Sequence, residues 1–537
     1  MKNNLSGWLF TSLLLVAVHV CAAAAPARPN FIFILADDLG IGNVSCYGAD
    51  HFQTPNIDRL AAGGIRFTHA YTAPLCGPSR ALILTGRYAF RTGATNQDAT
   101  GRMKAGVETF MPAYLKSVGY VSSSIGKWGQ LPLGPAEFGF DDFLKFRGSG
   151  VYWNNTGGKA EKYWVNGVEK NLRAKEYMPD LMHEHLVNFI TRHRDTPFYV
   201  YYSLSHVHGE LQPTPDSAAR PQDLMADNCA YMDKLVGKLV AELDRLKLRD
   251  RTLLIFMGDN GTGGKWADQS TIGGQRLSGQ KGSMLEGGAL VPFIANWPGV
   301  TPAGKVCADF LDATDLVPTF AELAGVTLPR EKLLDGRSLA PQIRGERGSP
   351  REHVFMELAR EWWVRGDGWK LNQKGELFDM SRAPFAEKLV AAEADTETSK
   401  AARARLIAAL AQLNPAGGIL DDGDGSGRHE NKNKKPAKKG AAPAASAPQP
   451  EAKPENKPIE PPKPSPLAPV DAAFAERAAK FDRLDQDKRG RLTLEEYKSR
   501  QSDPEAAEKR FKKFDVNNDG VVTREEYIHN GAKKLKP

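Results

Sequence analysis

Three short runs of nearly uninterrupted apolar residues mark the first half of the chain, and each hands over to a polar cluster. Asn30 to Leu35 reads Asn-Phe-Ile-Phe-Ile-Leu and leads into Asp37-Asp38-Leu39-Gly40; Phe198 to Leu204 leads to His206; Leu253 to Met257 leads to Asp259-Asn260-Gly261. Runs without polar alternation fit strands buried on both faces, as in parallel sheets. Between the last two runs, Met232, Leu235, Val236, Leu239, Val240 and Leu243 fall on one stripe of a helix spanning Tyr231 to Leu246. Strands alternating with helices predict an α/β fold with a mainly parallel central sheet flanked by helices. In such sheets ligands bind beyond the carboxyl ends of the strands, so strands ending in acidic, amide and imidazole side chains point to one shared site.

At 537 residues the chain exceeds what one hydrophobic core serves. Its formal charge of +7 would suggest a polyanion partner, but nine basic residues face four acidic ones between Arg428 and Lys463 alone. The remainder carries no basic-aromatic motif, so no nucleic-acid partner is expected. Lys2, the apolar run Trp8 to Val20 and the small residues Ala22 to Ala25 read as a cleaved export signal over residues 1–25, too short to span a bilayer. Val20 before Cys21 argues against a lipoprotein. The expectation is an exported protein, periplasmic, cell-surface or extracellular, with no stable membrane anchor. Cleavage leaves Cys46, Cys76, Cys229 and Cys307, too few for a disulfide scaffold.

Cys76-Gly77-Pro78-Ser79-Arg80, continuing to Thr85-Gly86-Arg87, sets a cysteine just ahead of a proline that can open a helix. Its side chain would project near a helix N-terminus, where free N–H groups favour an anion. A cysteine phosphatase would need its arginine later in the loop, where Leu82 stands. The stretch resembles the signature of the sulfatase family, C-x-P-S-R followed by L-T-G-R, whose cysteine is oxidised to formylglycine by a formylglycine-generating enzyme. The resemblance implies that Cys76 is the precursor of the nucleophile.

Asp37, Asp38, Asp259 and Asn260 offer only oxygen, the ligand class of a calcium-like ion, although adjacent aspartates after a strand also serve as turns or helix caps. The resemblance assigns them as ligands of an active-site Ca2+. Gly126-Lys127-Trp128 looks like the family's G-K-W segment, and Lys281 with Glu286-Gly287-Gly288 looks like its K-x-x-x-x-E-G-G block; both lysines are implied to reach the sulfate. His206 follows a strand as the family's substrate-site histidine does. Read without the family, the lysines suit a solvated surface and His206 a strand end. Gly129 departs from the usual G-K-W-H, with His208 or His69 as possible substitutes; Ser205 replaces the usual proline, and Ala289-Leu290 an arginine. His183 and His185 fall in an expected helix and are expected to face solvent.

The mechanism the resemblance implies starts from hydrated formylglycine at position 76. One hydroxyl, activated by the metal, attacks sulfur in line and displaces the alcohol, while metal, Arg80, Lys127 and Lys281 offset charge on the sulfuryl oxygens. His206 or Lys281 protonates the leaving alkoxide. The second hydroxyl then expels sulfate and restores the aldehyde. A sulfated carbohydrate or an aryl sulfate is the expected substrate. The alternatives are a phosphodiesterase or phosphonate hydrolase of the same superfamily, which includes alkaline phosphatase, and a catalytically silent calcium-binding surface protein.

The resemblance extends to about residue 413, giving a main α/β domain over 26–345 and a small C-terminal α+β subdomain over 346–413. The subdomain's strand-like pieces are Val354 to Leu358 and Trp362 to Arg365, and its helix runs from about Ser399. Residues 414–470, rich in Pro, Ala, Lys and Gly, read as an extended linker. Residues 471–537 resemble an all-α EF-hand pair. Asp515, Asn517, Asp519, Val521 and Glu526 supply ligand positions of one calcium loop, with Gly520 at its sixth position. Asp485, Asp487, Thr493 and Glu496 supply those of a sister loop weakened by Arg489 at position 5.

Overall fold

The computed structural model describes residues 28–154 and 161–430, and within 481–527 the residues 481–482, 484–485, 489, 491–499, 504–515, 520–523 and 527. The expected export signal, residues 431–480, and Asp487, Asn517, Asp519 and Glu526 lie outside the described residues. The chain divides into two compact units, one ending at Ala437 and the other starting at Lys438.

In chain order the first unit contains β1 (Asn30–Ala36), β2 (Ile65–Tyr71), β3 (Val121–Lys127), β4 (Asp142–Phe146), β5 (Lys162–Val165) and β6 (Val168–Asn171). Then follow β7 (Phe198–Ser203), β8 (Thr252–Gly258), the two-residue strands β9 (Thr271–Ile272) and β10 (Gln275–Arg276), β11 (Leu290–Asn296) and β12 (Lys305–Asp312). Ten of these form one sheet in the order β12-β2-β11-β8-β1-β7-β3-β4-β5-β6. Strands β8, β1, β7, β3 and β4 pair in parallel, with Phe31 opposite both Tyr199 and Leu253. Every residue of β1, β7 and β8 is buried, which is why their sequences show no polar alternation.

The two faces divide the apolar residues by parity. Phe31, Phe33 and Leu35 pack with Leu84, Phe320 and Tyr201, whereas Ile32 and Ile34 pack with Met232, Leu235 and Leu239 of the helix Leu224–Arg245. Asp223 caps that helix by accepting from the N–H groups of Met225 and Ala226. In the helix Met178–Arg192, His183 and His185 do not simply face solvent. Both are half-buried, and His185 reaches the buried Asp142 at 2.6 Å because β4 brings that carboxylate under the helix.

A second sheet, an antiparallel meander, comprises β13 (His353–Leu358), β14 (Glu361–Gly366), β15 (Trp369–Asn372), β16 (Leu377–Asp379) and β17 (Lys388–Val390). The helix Glu397–Leu413 lays Leu406 and Ala409 on Val364, Leu371 and Leu377. Residues 414–430, read from composition as the start of the linker, instead return to the main unit. Ile419 N–H donates to Phe90 O at 2.7 Å, Gln97 N–H donates to Gly427 O at 2.8 Å, and buried Asp421 accepts from Thr95 and Asn96. A segment with few apolar residues is held there by polar pairs that periodicity does not reveal. Among the described residues no helix is long and apolar enough to cross a membrane. Cys46, Cys76, Cys229 and Cys307 are all free thiols; Cys46 is half-buried and the rest are buried.

In the second unit β18 (Arg491–Thr493) pairs antiparallel with β19 (Val521–Thr523), setting Leu492 opposite Val522. Phe481, Tyr497, Phe511 and Tyr527 close a small core around them. Asp515 accepts from Gly520 N–H at 3.0 Å, and Thr493 N–H donates to Glu496 at 2.9 Å. Arg489 pairs with Glu496, so the loop with a cation at its fifth position also engages its own last carboxylate.

Glu357 on β13 accepts from Phe90 N–H at 3.0 Å, and burial pushes its carboxyl up to about 8. An acid with a raised folded-state value loses stability as pH rises from its unfolded value toward its folded one, at a rate of up to about 1.4 kcal/mol per pH unit. Glu357→Gln should therefore flatten the fall in stability between pH 5 and pH 8, read as urea midpoints of both proteins at the two pH values.

Candidate active site

The carboxyl ends of the central parallel strands meet at one point because Leu35 and Ala36 lie in register with Met257 and Gly258. The chain beyond β1 and that beyond β8 are tied together there. Asp259 N–H donates to Ala36 O at 2.9 Å, and Asp38 N–H donates to Asp259 Oδ1 at 3.0 Å. Asp38 has a φ of 57°, a left-handed conformation that aspartate tolerates better than most side chains. Lys127 is the last residue of β3, two strands from β1 across β7.

Cys76 is the first residue of the helix Cys76–Thr85, every residue of which is buried. Pro78 falls in the first turn, where its missing N–H costs no helical bond. Ser79 Oγ donates to Ala73 O at 2.7 Å and Gly77 N–H donates to Gln97 Oε1 at 3.0 Å, fixing how the chain enters the helix. Cys76 Sγ thus lies 3.5 Å from Asp37 Oδ1 and 3.7 Å from Asp38 Oδ1. Burial, followed by the charge of Asp259, pushes this thiol well above the ordinary cysteine value. As a thiol it stays protonated.

Cations from separate elements meet the carboxylates. Arg80 Nη2 pairs with Asp259 Oδ2 at 2.8 Å, and Nη1 donates to Tyr201 Oη and Lys127 O, both at 3.2 Å, and to Ser203 Oγ. Lys127 Nζ pairs with Asp37 Oδ2 at 2.5 Å, and Lys281 Nζ with Asp38 Oδ1 at 2.5 Å. Burial opposes the charge on Lys127 and Lys281, yet the neighbouring carboxylates, Asp37 at the first and Asp38 and Asp37 at the second, outweigh it; both stay protonated. Burial and then Asp259 raise Asp37 above the usual carboxylate range, whereas at Asp38 burial is outweighed by Lys281, His208 and Lys127, which hold it low.

The loop carrying Lys281 is seated on the glycine pair that follows Glu286. Gly287 N–H donates to Ser278 O at 2.6 Å, and a Cβ on Gly288 would stand 1.9 Å from Ser283 O, so only glycine permits this approach. Lys281 N–H donates to Thr262 O and Gly282 N–H to Pro74 O, which pin the loop over the Cys76 helix entry.

His206 is not among these groups. Its backbone O accepts from Asp37 N–H at 2.7 Å, but its ring lies between Tyr152, Tyr177 and Tyr231, with Tyr177 Oη 3.0 Å from Nε2. Burial lowers it to about 3, leaving it neutral. The histidine that faces the carboxylates is His208, whose Nε2 is 3.9 Å from Asp38 Oδ2. The strand leaves both histidines just beyond its end, and the turn after β7 decides which ring enters. His69 is remote from the cluster: it sits on β2, contacts Ala308 O and packs on Phe310. Gly129, where a histidine is expected, has a φ of 67°, and a Cβ there would stand 3.3 Å from Lys127 Cε.

Asp37, Asp38, Cys76 and His208 bring potential ligand atoms within 4.8 Å of one another. Asn260 Nδ2 donates to Asp38 Oδ1 at 2.9 Å, while its Oδ1 is buried without a partner. Buried carboxylates converging beside an orphaned amide oxygen fit a hard divalent cation, and Asp37, Asp38, Asp259 and Asn260 are the residues that could hold it. Asp485, Thr493, Glu496, Asp515 and Val521 belong to the other unit.

A family model described as Sulfatase matches residues 29–326, and one described as EF-hand domain pair matches residues 477–530. Human arylsulfatase A is 34% identical over 393 residues, which cover 66% of this chain and 75% of the relative. Canis lupus familiaris N-acetylgalactosamine-6-sulfatase is 33% identical over 375 residues, covering 63% and 70%. The crystal structure of Ps i-CgsB in complex with k-i-k-neocarrahexaose superposes with a TM-score of 0.61 at 28% identity, covering 75% of this chain and 95% of that one.

The left-handed backbone at Gly129 predicts that Gly129→Ala lowers stability by about 1–2 kcal/mol. Urea unfolding of the two proteins measures it, and an unchanged midpoint would contradict the strain.

Proposed function

The chain belongs to the sulfatase family and is a sulfuric ester hydrolase, and from that we propose an exported, calcium-dependent enzyme that desulfates carbohydrates through a formylglycine made from Cys76. The observation that carries this is the state of the Cys76 side chain. A thiol buried against Asp37 and Asp38, and kept protonated by burial and by the charges of Asp259 and Asp37, is a poor nucleophile. Oxidised by a formylglycine-generating enzyme and hydrated, the same position would offer two hydroxyls, one to attack sulfur and one to release sulfate.

The other residues have roles their surroundings support. Arg80 fixes Asp259 from the buried side and orients the helix carrying position 76. Lys127 and Lys281, both protonated, offset charge on the sulfuryl oxygens and draw the ester toward position 76. A divalent cation, calcium in this reading, when held by Asp37, Asp38, Asp259 and Asn260 would supply Lewis-acid polarisation of those oxygens. Lys281 and His208, both beside Asp38, are the candidates to protonate the leaving alkoxide. His206 instead supports the Asp37 backbone through its carbonyl.

The names of the relatives support a sulfated sugar, since one is an N-acetylgalactosamine-6-sulfatase and another structure was solved with a neocarrahexaose. The apolar run near the N-terminus supports export, and the EF-hand pair supports further calcium binding in a calcium-rich exterior.

Peptide mass spectrometry of protein produced with a formylglycine-generating enzyme should find an aldehyde or its hydrate at position 76, and Cys76→Ala should abolish aryl-sulfate turnover. An unmodified thiol in an active preparation, or faster turnover of an aryl phosphodiester than of the sulfate, would overturn the proposal. His208→Ala should lower kcat/KM on aryl sulfate by about 100-fold or more, in the range of general acid catalysis. Equal loss in His206→Phe with unchanged stability would return the role to His206.

A further inference from the structure

Beside the charged centre lies an open cleft of about 570 Å³, within the roughly 300–1,000 Å³ of small-molecule sites. Its walls include Gly129, Leu133, Lys145, Arg147 and Trp164. These residues come from the loop after β3, the end of β4 and the strand β5 next to the sheet edge. Two links join the cleft to the reacting groups. Gly129 borders it and backs onto Lys127, and the segment leaving Arg147 returns to the centre, where Gly150 packs on His208. Gln130 Nε2 also donates to Ser149 Oγ at 3.4 Å, closing the loop between the two walls.

The lining is unusual in what it leaves unused. Arg147 is exposed and has no hydrogen bond or ion pair among the described residues, and the half-buried indole of Trp164 makes no ring contact or hydrogen bond there. Leu133 is 63% exposed. Lys145 is partly satisfied, donating to Leu133 O at 3.3 Å near Glu137, which accepts from Gly134 N–H. A free guanidinium, an ammonium and an unstacked indole match a ring with an apolar face and anionic substituents. Arginine pairs bidentately with oxyanions, and aromatic planes receive C–H-rich faces.

We propose that this cleft is a second-sugar subsite, binding a further sulfated ring of the same glycan whose scissile sulfate lies at position 76. This rests on the sulfatase reading. It assigns Trp164 to stacking and Arg147 to the neighbouring sulfate, and it makes the enzyme prefer chains sulfated on adjacent rings. Gly129 contributes by absence, since a side chain there would narrow the passage between Lys127 and the cleft.

The test is competition. A dextran sulfate hexasaccharide is titrated against turnover of 4-methylumbelliferyl sulfate by matured wild-type protein and by Arg147→Ala and Trp164→Ala, with the inhibition constant referred to each protein's own KM. The expected result is at least a tenfold rise in that constant in both variants, with Arg194→Ala, an exposed arginine paired with Asp195, within twofold of wild type. No competition in the wild type, unchanged constants in both cleft variants, or an equal rise in Arg194→Ala would overturn the subsite. Failure of all four proteins to turn over the aryl sulfate would count against the sulfatase reading instead. Calorimetric titration of the same hexasaccharide into wild type and the two cleft variants then decides the cleft alone, by whether affinity falls tenfold or stays level.

Discussion

Three carboxylates and three cations withdrawn from water hold this structure's centre, and the arrangement around them follows from that burial. Asp37, Asp259 and Arg80 are fully buried, and Lys127 and Lys281 bring the remaining ammonium groups. Each such charge has lost its hydration, so removing one partner strands another at roughly 3–5 kcal/mol. The pairs join β1, the helix from Cys76, β3, β8 and the loop before Glu286. The strands must end in register for the charges to meet. The same requirement leaves the Cys76 side chain fully buried among them.

The second sheet belongs to this logic. Glu286, one residue before the glycines that seat the Lys281 loop, is buried and accepts from Tyr71 Oη at 2.8 Å and from Arg365 on β14. Its N–H donates to Glu387 at 3.0 Å. The meander therefore clamps the far end of the block whose near end presents Lys281. The loop bearing Lys281 thus takes its position in part from the second sheet, through Glu286 and Arg365.

The sequence made the centre legible because its constraints are local. Apolar runs ending in Asp37-Asp38 and Asp259-Asn260 announce strands buried on both faces with carboxylate and amide side chains at their tips, and Cys76 to Arg80 is contiguous. What sequence left open depends on turns and tertiary partners. His206 and His208 differ by two positions, and nothing in their neighbours says that a cage of Tyr152, Tyr177 and Tyr231 takes the first. Residues 414–430 have the composition of a tether, and their attachment rests on Asp421 answering Thr95 and Asn96 more than 300 residues earlier. Tyr201 and Ser203 look like ordinary strand residues, yet both accept from Arg80.

The charged centre and the cleft proposed beside it are carried by parts of the fold with different freedom to change. Asp37, Asp38, Lys127, Asp259 and Asn260 sit at or just beyond the ends of central strands, with Cys76 and Arg80 on a buried helix beside them, and the charged groups among them are held in buried ion pairs. The cleft beside them is built from a loop and the edge of the sheet, where β6 is exposed at every residue and Asn166-Gly167 turns the hairpin with both residues at positive φ. A change at Trp164 or Arg147 disturbs no buried ion pair. The cleft lining can thus change while the carboxylate and lysine arrangement stays fixed, and Gly129 borders both the cleft and Lys127.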